Sequence, residues 1–422
     1  MNKYTDQSLN QSYFKFKHKS GLNIIIYPKE GFSKTYAVIA THYGSIDKTF
    51  IPKQSEQVTV PGGIAHYLEH KLFEGEKEGA FERYARTGAN ANAFTSFDTT
   101  AYLFSCTEQF EDSLEILLDF VYSPYFTPEN VEKERGIIGQ EIRMYDDNSD
   151  WQVFFSALEA AYQNHPIRED IAGTVDSIAK ITPELLYLCY NNFYNPSEMV
   201  LCVVGNATPE TVMNICDKVL KEKEPSEVKR IYPEEPALPY KKVIEKKLSV
   251  SKTIFNIGIK DNVKFTVAGE LCDRAALTDI LLELIIGKAS PLYKDLYQKG
   301  LIGLDFSKEY MYSKSYGIAV FGGESDNPKA VYDSFFEYCS ELIKNFPEKD
   351  FERCKKAVYG NRIQLLNEVE GLGNEAVSAF FTGTDVFELL NAYRRVTPEM
   401  ALERLKSFFD EQYAVISIIN PV

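Results

Sequence analysis

Two stretches of this chain, 212 residues apart (Gly75 to Gly287), run through the same succession of patterns, and a duplicated sequence folds as two like halves. Helix periodicity over residues 64–73 closes at Gly75, and over 275–286 it closes at Gly287. Short amphipathic helices follow, 81–87 before Gly88 and 293–299 before Gly300. Strand-like residues come next in both: 91–106 (ANAFTSFDTTAYLFSC) in the first half, and 301–322, containing YGIAVF, in the second. Helix pairs then span 112–122 and 128–144, and again 329–344 and 347–366. Two unrelated α+β domains also alternate in this way, but the pairing of FTPENVEKERGIIGQEI with FPEKDFERCKKAVYGNRI favours duplication. Hairpin-like strands and helix pairs, rather than a regular βαβ rhythm, predict an α+β fold with mainly antiparallel sheets. Between the halves, KEKEPSEVKRIYPEEPALP puts four prolines and many charges into nineteen residues. It reads as a linker at 221–239, separating a first domain, 1–220, from a second, 240–422.

Only five histidines occur, and two of them fall four apart in Gly63-Ile-Ala-His66-Tyr-Leu-Glu69-His70. On a helix, positions i and i+4 share a face, so both imidazoles point at one place with Glu69 beside them. Ile64, Leu68 and Leu72 seat the helix, and Pro61-Gly62-Gly63 starts it close to neighbouring backbone. Two neutral imidazoles plus one carboxylate suit zinc and leave a fourth position open, which is the pattern of a catalytic rather than a structural site.

The third ligand comes from elsewhere, and Glu141 is the candidate. It stands seven residues after Glu134 in Val131-Glu-Lys-Glu134-Arg-Gly-Ile-Ile-Gly-Gln-Glu141-Ile-Arg-Met, so the two carboxylates share a helix face beside Ile137, Ile138 and Ile142. Taken alone, such a pair is also common on a solvated face.

Together, His66-Tyr-Leu-Glu69-His70, the acidic helix reaching Glu141, and the strand motif Asn92-Ala-Phe-Thr95 resemble the inverzincin peptidases of family M16, the pitrilysin and insulin-degrading class. Gly44-Ser45 and Phe73-Glu74-Gly75 agree, and the similarity covers the whole chain in the manner of the short, two-domain bacterial members. The resemblance implies zinc ligands His66, His70 and Glu141, a general base at Glu69, and Glu134 supporting the metal from behind. Asn92 and Ala93 match edge-strand positions that hold the substrate backbone. At the repeat offset His66, Glu69 and His70 meet Thr278, Leu281 and Leu282, and in the paired helix segments that begin at Phe126 and Phe346 Glu141 falls opposite Asn361 or a neighbour, so the second copy lacks ligands.

The family encloses peptide between two two-domain halves of a clamshell, and this chain amounts to one half. A dimer is therefore expected, with itself or with a paralogue lacking the motif. Many members carry an Arg and a Tyr in a stretch that reads Leu296-Tyr-Gln-Lys-Gly-Leu-Ile-Gly-Leu304 here. Tyr297 stands near the arginine position and Gly303 or Leu304 near the tyrosine position, so that help must come from a partner or activity is low. The expected function is hydrolysis of extended peptides. The alternative is a weakly catalytic or non-catalytic subunit that binds peptides or a paralogue in peptide maturation or elongation-factor modification.

The remaining composition sets limits. Acidic residues exceed basic ones by 15, a balance that repels phosphate backbones and argues against nucleic acid. No run approaches the roughly 18 apolar residues of a membrane span, and Met1–Lys17 has no secretory apolar core. Seven cysteines, none in a CxxC pair, point to reduced thiols in a cytoplasmic protein. His18, His42, His165 and the single Trp151 are expected to be structural.

Overall fold

In the two central strands Thr35–Thr41 (TYAVIAT) and Met199–Gly205 (MVLCVVG), every residue is buried. A nearly continuous apolar run of this kind requires cover on both faces of a sheet. The computed structural model describes residues 1–262 and 268–422, and these divide into two compact units. One comprises Met1–Ile142, Asp170–Tyr232 and Leu365–Phe381; the other comprises Arg143–Glu169, Pro233–Gln364 and Thr382–Val422.

The first unit holds a seven-stranded sheet in the order Asn2–Asp6, Gln11–Lys17, Asn23–Pro28, Met199–Gly205, Thr35–Thr41, Thr100–Cys106, Asn90–Thr95. Only the Asn23–Pro28/Met199–Gly205 pair runs parallel. Helix Phe110–Val121 packs on Thr35–Thr41 and Thr100–Cys106, and helix Ile64–Leu72 packs on the Asn90–Thr95/Thr100–Cys106 hairpin. Helix Val369–Thr382, from far along the chain, also joins this unit: Tyr36 donates its hydroxyl to Asn374 Oδ1 (2.7 Å), and His42 stacks on Phe381. A small sheet of Lys229–Arg230, Thr49–Ile51 and Val58–Thr59 completes it.

The second unit has five strands in the order Val243–Leu248, Ala414–Pro421, Ile254–Lys260, Gly317–Glu324, Ser307–Tyr312. This repeats the last five strands of the first sheet, with the one parallel pair in the same place. The α+β architecture of two like units with mainly antiparallel sheets is therefore as expected. What the repeat does not announce is the additional hairpin Asn2–Asp6/Gln11–Lys17, which covers Asn23–Pro28 in the first sheet. Val243–Leu248, the corresponding strand, ends the second sheet and alternates exposed and half-buried residues with Lys246 and Lys247 among them. Helix Ser149–Ala161 packs on strands Ile254–Lys260 and Ala414–Pro421, where Ser417 donates to the Val153 carbonyl at 2.6 Å. Its Trp151 stacks on Tyr145.

Helix Ala268–Ile286 is the core of this unit and begins seven residues before the periodic stretch that announces it. At the positions that align with the histidine motif, Thr278, Leu281 and Leu282 are all buried. Thr278 Oγ1 receives Arg404, and Arg404 also pairs with the buried Asp261.

Candidate metal centre

The motif helix, Ile64–Leu72, starts on Gly63, which takes the left-handed conformation at φ +87°. A Cβ there would lie 2.3 Å from the Ala172 carbonyl oxygen, so only glycine lets the helix begin against that backbone. Ser177 Oγ donates to the Gly62 carbonyl at 2.8 Å and fixes the same approach. Ile64, Leu68 and Leu72 are buried, as expected of the face that seats the helix. Tyr67 is also buried and donates its hydroxyl to the Val131 carbonyl, joining the motif helix to the helix Pro128–Asp146.

Helix Pro128–Asp146 presents Glu134 and Glu141 to the two histidines. His70 Nδ1 lies 3.0 Å from Glu134 Oε1, and His70 Nε2 lies 3.5 Å from Glu141 Oε2. His66 Nε2 lies 3.8 Å from Glu141 Oε1. One ligand atom each of His66, His70 and Glu141 falls within 4.8 Å of the others. Ligand bonds of about 2.0–2.1 Å to zinc put tetrahedral donors about 3.3–3.5 Å apart. Two imidazole nitrogens and a carboxylate oxygen at these separations fit the ion in both chemistry and spacing.

The electrostatics suit that role. Burial, and then His70, push the His66 pKa down to about 4 against the pull of Glu141 and Glu134, so the ring is neutral at pH 7 with a lone pair to offer. Burial opposes charge on His70 as well, but the Glu134 hydrogen bond and the carboxylates of Glu69, Glu134 and Glu141 outweigh it and raise its pKa. Glu134 is buried, which by itself would favour its neutral form. The His70 hydrogen bond and the charges of His70, Lys71 and Lys133 nevertheless hold it below the ordinary carboxylate range. An ionised Glu134 accepts only, so Nδ1 of His70 carries the proton and Nε2 faces Glu141.

Glu69 has its pKa raised by burial, an effect the Thr95 hydroxyl and His70 oppose and Glu141 reinforces. Thr95 Oγ1 donates to Glu69 Oε2 at 2.6 Å. Thr95 stands in the strand motif seen in the sequence, but nothing there assigns its hydroxyl a partner. Lys71 is a second residue that the sequence does not single out. It is fully buried, with Nζ on the Asn130 carbonyl (3.1 Å), on Glu74, and 4.0 Å from Glu134.

Asn92 and Ala93 lie on Asn90–Thr95, the last strand of the seven-stranded sheet, and Asn92 is exposed. They line a cleft of about 440 Å3 together with Glu69, His70, Phe73 and Glu134. All the proposed site residues are thus brought into one neighbourhood of the first unit.

His18 is buried between Ser20 Oγ (2.8 Å) and Asp217, and His165 Nδ1 receives the Ile167 N–H. All seven cysteines are buried and free. Among the described residues no helix is long and apolar enough to cross a membrane.

Comparison with known proteins bears on the whole chain. A family model described as insulinase (peptidase family M16) matches residues 57–175, and one described as the peptidase M16 inactive domain matches 180–358. The zinc protease YmfH of Bacillus subtilis (strain 168), itself uncharacterized, is 39% identical over 412 residues, 97% of this chain and 95% of that protein. A solved M16-like peptidase from Alicyclobacillus acidocaldarius superposes with a TM-score of 0.94 at 33% identity, covering 97% of this chain and 98% of that one. Pitrilysin shares the fold at a TM-score of 0.76 and 17% identity; the match covers 99% of this chain but 46% of pitrilysin.

Proposed function

The chain belongs to peptidase family M16, and on that footing we propose that it is a zinc-dependent peptidase that hydrolyses extended peptides, with His66, His70 and Glu141 holding the metal and Glu69 acting as general base. The observation that carries this reading is the convergence of one donor atom from each of those three residues within 4.8 Å, with the Glu69 carboxylate one helical turn from His66. When bound there, zinc supplies the Lewis acidity that makes water a nucleophile at neutral pH and polarises a peptide carbonyl.

The chain's own residues do the rest. Glu134 holds the His70 ring with Nε2 toward Glu141. Oε2 of Glu69 is held by Thr95, so Oε1 is the oxygen that takes the proton of the attacking water and returns it to the leaving amine. Its burial-raised pKa suits a group that must both accept and give a proton. The Asn90–Thr95 strand pairs on one side with Thr100–Cys106 and ends the sheet on the other, so a peptide can add to it as a further strand past Asn92 and Ala93. Backbone hydrogen bonds then provide affinity, and side-chain choice stays loose.

We assign catalysis to residues 1–220, linkage to 221–239 and a homologous, ligand-free domain to 240–422; the match to the M16 inactive domain, which runs from 180 across the linker to 358, supports the ligand-free character of the last. Because the chain matches only 46% of pitrilysin, the working species is proposed to be a dimer, a homodimer or a pair with a motif-lacking paralogue, in the cytoplasm. One observation favours the rival reading of a peptide-binding subunit with little activity. Tyr297, 47% exposed, stands near the position where many family members are expected to carry arginine.

A fluorogenic peptide assay on protein of measured zinc content, with and without chelator, decides between the two. Turnover that disappears with the metal supports the peptidase. Zinc-loaded protein that binds peptide without cleaving it supports the subunit.

A further inference from the structure

Thr95 closes the edge strand, and its hydroxyl makes the one hydrogen bond that the Glu69 side chain has among the described residues, at 2.6 Å to Oε2. A glutamate carboxylate turns about three side-chain bonds, so one such contact largely decides where its second oxygen points.

The direction of this contact follows from its neighbours. Across the hairpin, Thr95 pairs in register with Thr100. Thr100 Oγ1 spends its proton on the Tyr43 carbonyl at 2.8 Å, so it has none to give Thr95, whose Oγ1 is 3.5 Å away. The Thr95 proton therefore goes to Glu69, the nearer acceptor.

The strand end that carries Thr95 is itself held in place. Ser96 N–H closes the turn on the Thr99 carbonyl at 2.7 Å, and the turn is tied to residues 44–46 by Ser45 N–H on the Ser96 carbonyl (3.1 Å) and Ile46 N–H on the Phe97 carbonyl (2.9 Å). Gly44 is what permits this seat, because a Cβ there would lie 2.4 Å from both the Asp98 nitrogen and the Phe97 carbonyl carbon. Threonine, branched at Cβ, then keeps few χ1 choices.

We infer that Thr95 is the positioning residue of the general base: its hydroxyl sets the Glu69 carboxylate so that Oε1 is turned toward the donor atoms of His66, His70 and Glu141, and it does so from the strand to which substrate adds. The inference rests on the hydrolytic reading given above. One rigid hairpin then fixes both the peptide and the base that attacks it, and the distance between them does not depend on the flexibility of the glutamate.

The test compares Thr95→Val, which keeps shape and branching but loses the hydroxyl, with Thr95→Ser, which keeps the hydroxyl. Thr95→Ala substitutes for the valine variant should that variant not fold. In crystals of the metal-free proteins, Glu69 is expected in one rotamer in wild type and Thr95→Ser, and in more than one in Thr95→Val. In the zinc-loaded proteins, Thr95→Val is expected to lose about tenfold or more in kcat, the effect of one hydrogen bond to a charged group. Its KM, zinc content and melting temperature should remain those of wild type, and Thr95→Ser should recover the rate. A single Glu69 rotamer in Thr95→Val, a kcat within twofold of wild type, or a serine variant as slow as the valine one would each overturn the inference. Wild-type protein that holds zinc yet cleaves no peptide would overturn the hydrolytic reading alone, because the rotamer comparison is made without metal.

Discussion

Glu134 Oε1 sits 3.0 Å from Nδ1 of His70, and this contact decides which ring nitrogen turns toward Glu141. Glu134→Gln keeps the size and removes the charge, and an amide can turn its NH2 to the ring and favour the other tautomer. Zinc affinity should fall by about 10- to 100-fold, the usual cost of losing a carboxylate behind a ligating histidine. Competition against a chelator of known affinity measures it, and an unchanged dissociation constant would remove Glu134 from the metal site.

Glu69→Gln tests the base separately from the metal. Because Glu69 is not among the three proposed ligands, the variant should carry a full complement of zinc and lose about two to four powers of ten in kcat. Metal analysis and single-turnover assays on the same preparation suffice. Wild-type turnover would reassign the proton transfers to another group.

The histidine pair and Glu69 were readable from the sequence because they lie within one helical turn, where spacing alone dictates direction. Glu134 and Glu141 were readable for the same reason, seven apart on a second helix. The Thr95–Glu69 contact joins two elements 26 residues apart through a hydroxyl that suits a turn equally well, so nothing in the pattern singles it out. Lys71 is hidden in a similar way: a lysine beside a ligand suggests solvent, and only the fold supplies the Asn130 carbonyl and Glu74 that let it be buried. The repeat was legible in its succession of elements but not in its exchanges. An amphipathic pattern in Ser149–Ala161 says that one face is covered, not that strands Ile254–Lys260 and Ala414–Pro421 cover it. A single offset also fails past Gly300, because six residues separate it from strand Ser307–Tyr312, whereas one separates Gly88 from Asn90–Thr95.

Two glycines with similar backbone angles should respond differently to alanine. Gly63 has φ +87° and the Ala172 carbonyl 2.3 Å from where a Cβ would sit; Gly88 has φ +70° and nothing within 4 Å. Gly88→Ala bears only the left-handed penalty, about 1 kcal/mol, whereas Gly63→Ala should cost at least about twice that and displace the motif helix. Melting temperatures of the two variants give the comparison, and equal losses would show that the Ala172 backbone yields freely.

Acid should weaken the protein partly through His165. Burial holds its pKa at about 4 against the upward pull of Glu235, and Lys260 adds a smaller downward push. The unfolded chain takes up its proton near pH 6.5, so between those values it binds more protons than the folded one, and stability falls as pH drops. Going from pH 7.5 to 5.0, the share lost to this group is about 2 kcal/mol. His165→Gln should flatten that part of the melting-temperature profile; a variant as acid-sensitive as wild type would place the effect on other groups.

Glu134 and Glu141 are carried by a single uninterrupted helix, Pro128–Asp146, two turns apart. Neither can shift without taking the other along, so a slip of one residue would withdraw a metal donor and the brace behind His70 in the same stroke. A shift of this helix therefore leaves no partly assembled site. The second unit fits that logic: its helix Glu348–Gln364 has Asn361 near the aligned position, and Thr278, Leu281 and Leu282 stand where the motif would be, so the whole apparatus is gone rather than worn down.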